Sequence, residues 1–384
     1  MTYDVDALRT AEFPWAVDGE TIYLNNASTG PHPQRTVEVI NEWGRLRANP
    51  QRVSYDLQFG TLARGRELIA TLIGAETNEI ALATNTSFGI NLAAFSLPLR
   101  AGDVVLSPQL EFPANVYPWM QLAKRRGVEY RRIDCPGDVL DAVTLARALD
   151  DERVRVVTVS WVQFSSGARV DLVALGTLCR ERGVYFVVDA IQGLGPLTLD
   201  LRSTPIDILA CGAQKWLLSP WGAAFVYVRR PLIEQLEPHD VSWLAVRSAE
   251  DLTRLTDYEL EWRADARRFE FITLPYQDVA AMNASLELLH ELGPPAVAAH
   301  ASRLADEIIE WASKREEVEL VTPRAHSCHA AIISVRPADA RAASARLTKV
   351  GVAHSLREGA IRLSPHGYNT SDEVRYALDI LAPA

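Results

Sequence analysis

Between about residue 60 and residue 228 the chain switches repeatedly between helical and strand patterns, and no other feature restricts its fold as strongly. Leu62–Ile73 has apolar side chains at helical spacing, and Thr86–Leu97 reads as a helix opened by Thr and Ser. Asp103–Leu106 is a short buried strand, Val116–Arg126 an amphipathic helix closed by Gly127, and Glu129–Ile133 a strand. Val143–Leu149 follows as a helix, Val154–Val162 as a β-branched strand, and Leu172–Arg182 as a helix stopped by Gly183. Val184–Asp189, Ile206–Ala210 and Ala223–Val228 complete the strands. Parallel neighbours need crossover connections, so this order predicts an α/β fold with a mostly parallel sheet covered on both faces.

The pattern changes after about residue 230. A polar stretch, Ser248–Arg268, interrupts the apolar strands and ends near Phe269. Helices are expected at Val279–Leu289 and Ala301–Ala312, and strands at Ala330–Val335 and Ala360–Leu363. The expected division is an N-terminal arm (1–20) packing with the smaller domain, a large domain (21–265), and a smaller C-terminal α+β domain (266–384).

Net charge is −10 over 384 residues with no long basic run, which argues against a large nucleic-acid footprint but leaves room for a local anion site. Cys135, Cys179, Cys211 and Cys328 are far apart with no CxxC, so neither a zinc site nor a disulfide framework is expected. His326-Ser-Cys-His329 has no third ligand nearby in sequence, and no metal is expected there. The acidic N-terminus lacks an apolar signal-peptide core, and no apolar run reaches the roughly 18 residues of a membrane span. A soluble cytoplasmic protein is the expectation.

Ligands of open parallel sheets bind beyond the carboxyl ends of strands, and three segments there carry suitable chemistry. Ala83-Thr84-Asn85-Thr86-Ser87-Phe88-Gly89 leads into a helix and reads as an anion-binding N-terminus or as a plain capped one. Phe186–Gly193 ends an apolar strand in Asp189, but its glycines do not complete GxGxxG. Ile206–Trp216 puts Lys215 behind small residues at a strand end. Desolvation there lowers a lysine's pKa, as a Schiff-base lysine requires, and a lysine snorkelling to the surface is the alternative.

The run from Ile206 to Phe225, with Gln214-Lys215 and then Gly222-Ala223-Ala224, resembles the pyridoxal-phosphate attachment signature of class V aminotransferases. Tyr23-Leu24-Asn25-Asn26-Ala27 is similar to that family's N-terminal segment, and Asn85–Asn91 to its phosphate loop. Asp189–Gln192 resembles its pyridine-binding strand end, and Ile361–Thr370 its carboxylate segment. The resemblance implies a fold-type-I enzyme with a mostly parallel seven-stranded sheet and pyridoxal 5'-phosphate as cofactor.

It also implies roles. Lys215 would bond to the cofactor and move protons at the substrate Cα. Asp189 would pair with the pyridine nitrogen and Gln192 with the ring's phenolic oxygen. Thr86, Ser87 and Gln214 would hold the phosphate, although Gly212 stands where relatives often have serine. Phe112 would cover the ring where desulfurases have histidine, or else be a core residue, and Gln163 stands where many relatives carry an asparagine near the ring. Arg362 would grip the substrate carboxylate, with Arg357, His366 and Asn26 as further substrate-binding candidates. Thr273 would reach the phosphate of a neighbouring subunit, making a homodimer with shared active sites.

Gln163 resembles kynureninases, whereas Gln192 in place of histidine resembles desulfurases and epimerases. The interval Val350–Ile361 contains no cysteine, and Cys328, beside a predicted strand, is expected to be buried. On that ground cysteine desulfurase activity is disfavoured. The expected enzyme is a lyase (C–S or β-elimination) or an aminotransferase acting on an amino acid or modified amino acid. The alternatives are an epimerase or a kynureninase-like hydrolase and, from another class, a non-catalytic cofactor-binding regulator or scaffold.

Overall fold

The computed structural model describes residues 3–135, 139–256 and 258–382. Its largest element is a seven-stranded sheet. In spatial order the strands are Ile80–Ala83, Ala224–Val228, Ile208–Gly212, Tyr185–Asp189, Val154–Ser160, Val104–Pro108 and Glu129–Ile133. Five run parallel, as the alternation predicts. Ala224–Val228 runs antiparallel to both neighbours, Ile80–Ala83 and Ile208–Gly212. A run buried on both faces has the same apolar pattern in either direction, so its sequence does not reveal the reversal. Ile208–Gly212 and Ala224–Val228 are buried along their whole length, and Val154–Ser160 at every position but Arg155, under helices such as Thr86–Ser96 and Leu172–Glu181.

A four-stranded antiparallel sheet lies in the C-terminal part, in the order Ser355–Arg357, Ala360–Leu363, Ile333–Pro337, Val318–Leu320. The N-terminal segment is tied to this region. Ile22–Tyr23 pairs in parallel with Val352–Ala353, and Arg9 forms a 2.7 Å ion pair with Glu373. The helices Val5–Glu12 and Gln34–Arg47 and the strand Ile80–Ala83 were not anticipated from the sequence. The long helices Tyr276–Leu292 and Pro294–Ser313 extend the predicted Val279–Leu289 and Ala301–Ala312 at both ends.

The edge strand Ile80–Ala83 is anchored by a buried ion pair. Arg66, on helix Tyr55–Ile73, donates from Nε and Nη2 to both Glu270 oxygens at 2.8 and 2.7 Å. Glu270 Oε1 also accepts the Leu82 N–H at 2.9 Å, satisfying a donor on the outer edge of the sheet. Removing one partner of such a pair leaves a buried charge exposed to no counter-ion. Glu270→Ala is therefore expected to lower unfolding stability by about 3–5 kcal/mol, read from urea midpoints. A loss under 1 kcal/mol would show that water compensates Arg66.

Candidate active site

The carboxyl ends of the parallel strands converge on Lys215. Gly212 is the last residue of its strand, and the chain then turns through Ala213 and Gln214. The turn is held from two sides. The Gly30 N–H donates to the Gln214 carbonyl at 2.9 Å, and a Cβ at Gly30 would lie 2.1 Å from the Lys215 carbonyl, so only glycine fits. On the other side, His366 Nε2 contacts the Trp216 carbonyl at 3.0 Å while Nδ1 accepts the Gly367 N–H at 2.7 Å. Nε2 is therefore the protonated nitrogen and the ring is neutral, as burial, which pushes its pKa down to about 4, also favours.

Lys215 is partly buried, with Nζ 5.8 Å from the Phe112 ring centroid. Burial brings its pKa down to about 8; Asp189 opposes that shift, whereas Arg362 and Arg357 add to it. Asp189 ends the neighbouring strand and is buried, with Oδ1 accepting the Ile191 N–H at 3.0 Å. Burial raises its carboxyl to about 6, against the pull of that hydrogen bond and of Lys215. Gln192 is engaged by the protein: Nε2 donates to the Ala27 carbonyl at 2.9 Å and Oε1 accepts the Trp216 indole N–H at 2.8 Å. One amide hydrogen is left for any ligand.

The helix Thr86–Ser96 begins at this end of the sheet. Its N-cap, Asn85, accepts the Phe88 N–H at 2.9 Å, no acidic residue lies in its first turn, and Ser87 is exposed. The N–H groups of Thr86 and Ser87 precede the first intrahelical bond and are free to meet an anion. Thr86 Oγ1 accepts the Gly212 N–H at 2.9 Å, joining this helix to the lysine turn. A Cβ on Gly212 would lie 2.5 Å from Gln214 Oε1, so the serine of relatives does not fit without moving that side chain.

Opposite this helix, Phe112 packs edge-on against Phe164 with centroids 5.3 Å apart. The Phe164 carbonyl accepts from Arg362 Nη1 at 2.6 Å, while Arg362 Nη2 donates to Ser28 Oγ at 2.8 Å and approaches Ser355 Oγ at 3.4 Å. Arg362 is 2% exposed, its Nε has no partner, and among the described residues no carboxylate pairs with it. Burial, then the charge of Arg357, brings its pKa down to about 10. Arg357 itself is exposed, two residues along the strand from Ser355.

Two of the remaining sequence candidates have their polar atoms taken up by the protein, and a third is exposed. Asn26 is buried with both ends of its amide used, donating to the Ser364 carbonyl at 2.8 Å and accepting Tyr368 Oη at 3.0 Å. His366 has both nitrogens occupied, as described above. Thr273 is exposed beside exposed Phe271. Cys328, expected to be buried, is exposed on a short turn, because the predicted strand starts only at Ile333.

Sequence reading missed Ser28, Phe164 and Ser355, which meet Arg362, and it missed Glu111. The Glu111 carboxylate is buried and accepts Ser160 N at 2.7 Å, Ser160 Oγ at 2.5 Å, Asn115 Nδ2 at 3.2 Å and Gln163 Nε2 at 3.5 Å. The one available signal was its place directly before Phe112. Gln163 is left with an unpartnered buried Oε1. Burial raises the Glu111 carboxyl to about 7, so the folded state holds its proton more tightly than the unfolded chain does. Stability is then lost as pH rises from about 4.5 to about 7. Glu111→Gln is expected to be nearly neutral at pH 4 and to raise Tm relative to the parent above pH 7. Parallel Tm-versus-pH curves for the two proteins would refute this.

A primary amine whose pKa is held down to about 8, a buried carboxyl group, a helix N-terminus with N–H groups outside the helix ladder and an aromatic lid make a cradle for a flat phosphorylated aldehyde. The unpartnered Gln163 Oε1 and Arg362 Nε lie in the surrounding shell. That chemistry fits pyridoxal 5'-phosphate. The aminotransferase class-V family model matches residues 22–376, and the chain belongs to that family. A probable cysteine desulfurase from Methanothermobacter thermautotrophicus is 30% identical over 304 residues, 78% of this chain and 74% of that protein. An isopenicillin N epimerase from Streptomyces clavuligerus is 29% identical over 379 residues, 95% of each chain. Among solved structures, the cystine C–S lyase C-DES, with glycine covalently linked to its pyridoxal-phosphate cofactor, superposes over 100% of both chains with a TM-score of 0.90 at 21% identity. The relatives named desulfurases overturn the expectation that this activity is disfavoured: the missing cysteine in Val350–Ile361 does not separate the chain from them.

Proposed function

We propose that the protein is a pyridoxal-phosphate-dependent lyase that cleaves the C–S bond of cysteine or a cystine-like amino acid. The observation that carries the proposal is Arg362, a buried guanidinium without a carboxylate partner among the described residues, beside a lysine whose amine is partly neutral near pH 8. A buried unpaired cation is costly and calls for an anion, and a planar fork suits an α-carboxylate. The relatives named desulfurase and C–S lyase support the sulfur substrate.

The cofactor, when bound, supplies the electron sink for breaking a bond at or next to the substrate Cα. The chain supplies the rest. Arg362 would hold the carboxylate and so set which bond faces the electron sink. Lys215, held near neutrality, would bond to the cofactor, take the Cα proton and return it. Asp189 would keep a proton on the ring nitrogen, and Thr86, Ser87 and Gln214 would hold the phosphate. Phe112 and Phe164 would exclude water from the reacting face.

The same reading includes a cytoplasmic homodimer, with Thr273 reaching the neighbouring subunit's cofactor. Large exposed apolar side chains support a partner surface, among them Trp221, Trp243, Tyr258, Leu260 and Phe271. It also includes the division into an arm (1–20), a cofactor domain (21–265) and a smaller domain (266–384); residues 1–2, 136–138, 257 and 383–384 of these lie outside the described residues. Product analysis with cysteine and cystine tests the chemistry. Sulfide from cysteine, or cysteine persulfide from cystine, released with pyruvate and ammonia supports C–S cleavage, as does alanine formed with its sulfur passed to an added thiol as a persulfide. A keto acid with aminated cofactor, or solvent deuterium at Cα alone, would replace it by transamination or epimerisation.

A further inference from the structure

A second cluster of ligating side chains lies outside the Lys215 site. Asp306 projects from the helix Pro294–Ser313, and His326 and His329 come from the short turn that precedes the strand Ile333–Pro337. One ligand atom from each of the three residues lies within 4.8 Å of the others. His326 Nδ1 is 3.4 Å from Asp306 Oδ1, and His329 Nε2 is 3.9 Å from the same oxygen. A tetrahedral ion with bonds of roughly 2.0–2.2 Å holds its ligand atoms roughly 3.3–3.6 Å apart. One distance already matches, and small rotations of the Asp306 and His326 side chains would bring the other two, both within 4.8 Å, to it.

His329 gives an independent indication of a ligand. It is 2% exposed, and its Nε2 is a buried atom with no hydrogen-bond partner. Its Nδ1 lies 3.1 Å from the Ala330 carbonyl, which can only accept, so Nδ1 carries the hydrogen and Nε2 presents a lone pair toward Asp306. A backbone carbonyl fixing one nitrogen while the other faces a cation is the usual arrangement around a metal-bound histidine. The turn is rigidly placed: the Arg169 N–H donates to the Cys328 carbonyl at 2.9 Å, Arg169 Nε to the Ser327 carbonyl at 2.6 Å, and the Ala330 N–H to the Gly167 carbonyl at 3.0 Å. A cavity of about 230 Å³, lined by Trp161, Arg169, His326 and His329, leaves room for water to complete the coordination.

We infer that Asp306, His326 and His329 form a site for a divalent transition metal of the Zn²⁺ type, sharing no residue with the Lys215 site. Two imidazoles and one carboxylate suit Zn²⁺, Co²⁺ or Ni²⁺, whereas Mg²⁺ and Ca²⁺ take all-oxygen sites. No third ligand is visible along the chain because Asp306 lies 20 residues before His326 on another element, and only the packing of helix against turn brings them together. The Arg169 guanidinium nearby opposes the metal's charge, and Asp306 offsets it. A bound ion would clamp Pro294–Ser313 to the segment Gln163–Gly167, to which the turn is bonded, and so stiffen the support of Gln163. The inference does not rest on the proposed reaction.

The test uses Co²⁺, then Zn²⁺, with the pyridoxal-loaded protein stripped of metals by a chelator. About one Co²⁺ per chain is expected to bind with a visible d–d band, Zn²⁺ to displace it, and Zn²⁺ to raise Tm. His326→Ala combined with Asp306→Asn changes only exposed or half-exposed side chains, so its far-UV spectrum and cofactor absorbance should match the parent. It is expected to weaken Co²⁺ binding by about tenfold or more. His329→Gln should do the same, and the double variant keeps the test open if His329→Gln misfolds. Absence of Co²⁺ and Zn²⁺ binding by the parent protein, or equal binding by the double variant, would overturn the site.

Discussion

Lys215→Ala is expected to remove the visible absorbance of bound cofactor and to lower turnover by at least about 10⁴-fold, the top of the range for a positioned acid–base group. The loss is expected to be this large because the described residues around the cradle offer no second amine: Arg362 and Arg357 are guanidiniums, and Gln163, Gln192 and Gln214 are amides. The variant should fold. The Lys215 ammonium is held in a partly desolvated place, with its pKa brought down to about 8, so the side chain costs the apoprotein stability wherever it is protonated. Below pH 8 both folded and unfolded chains carry the proton and that cost is fully present; it fades as pH rises from about 8 toward the ordinary lysine value. Lys215→Ala apoprotein is therefore expected to be more stable than its parent at pH 7, by an amount on the order of 1–2 kcal/mol, with the gain gone by about pH 10.5. Paired urea melts at pH 7 and pH 10 check the sign, and absorbance with single-turnover assays checks the chemistry. A variant that keeps both colour and turnover would remove Lys215 from the mechanism.

What the sequence revealed about this fold and site depended on separation along the chain. Alternating strands and helices are local patterns, and the five parallel strands follow from them. Lys215 and Asp189 could be read as strand-end residues because polar groups closing apolar runs are visible within ten residues. The groups that surround them come from far away. Glu111 meets Ser160 across 49 positions, Arg66 meets Glu270 across 204, and Arg362 meets Ser28 across 334. None of these distances has a periodic signature. Asn26 and His366 show the opposite case. Both lie in segments that resemble functional ones, yet burial has turned their polar atoms onto the backbone and Tyr368. His366 is nonetheless close to the chemistry, because it holds the carbonyl of Trp216, the residue after Lys215.

Replacing Arg362 is the next most damaging change expected. Arg362→Ala should lower kcat/KM for an α-amino acid by about 30-fold to several thousand-fold, the equivalent of about 2–5 kcal/mol for truncating one partner of a buried charge pair. Arg362→Lys keeps a positive charge but not the fork, and the ammonium cannot reach Phe164, Ser28 and a carboxylate together, so most of the loss should remain. The cofactor absorbance should be unchanged in both variants, which separates substrate binding from cofactor binding. The loss should also depend on the substrate. For an amine of the same side chain without the carboxylate, parent and variant should differ little, because the unpaired guanidinium then gives the parent nothing to bind. Spectral titration with the amino acid and its decarboxylated amine reads both effects. Equal affinity of Arg362→Ala and the parent for the amino acid would mean that another cation holds the carboxylate, with Arg357, whose charge acts on both Lys215 and Arg362, as the candidate. Arg357→Ala would then show the large effect, whereas with Arg362 as the holder it should lower kcat/KM only through the weaker field of an exposed charge, by about tenfold or less.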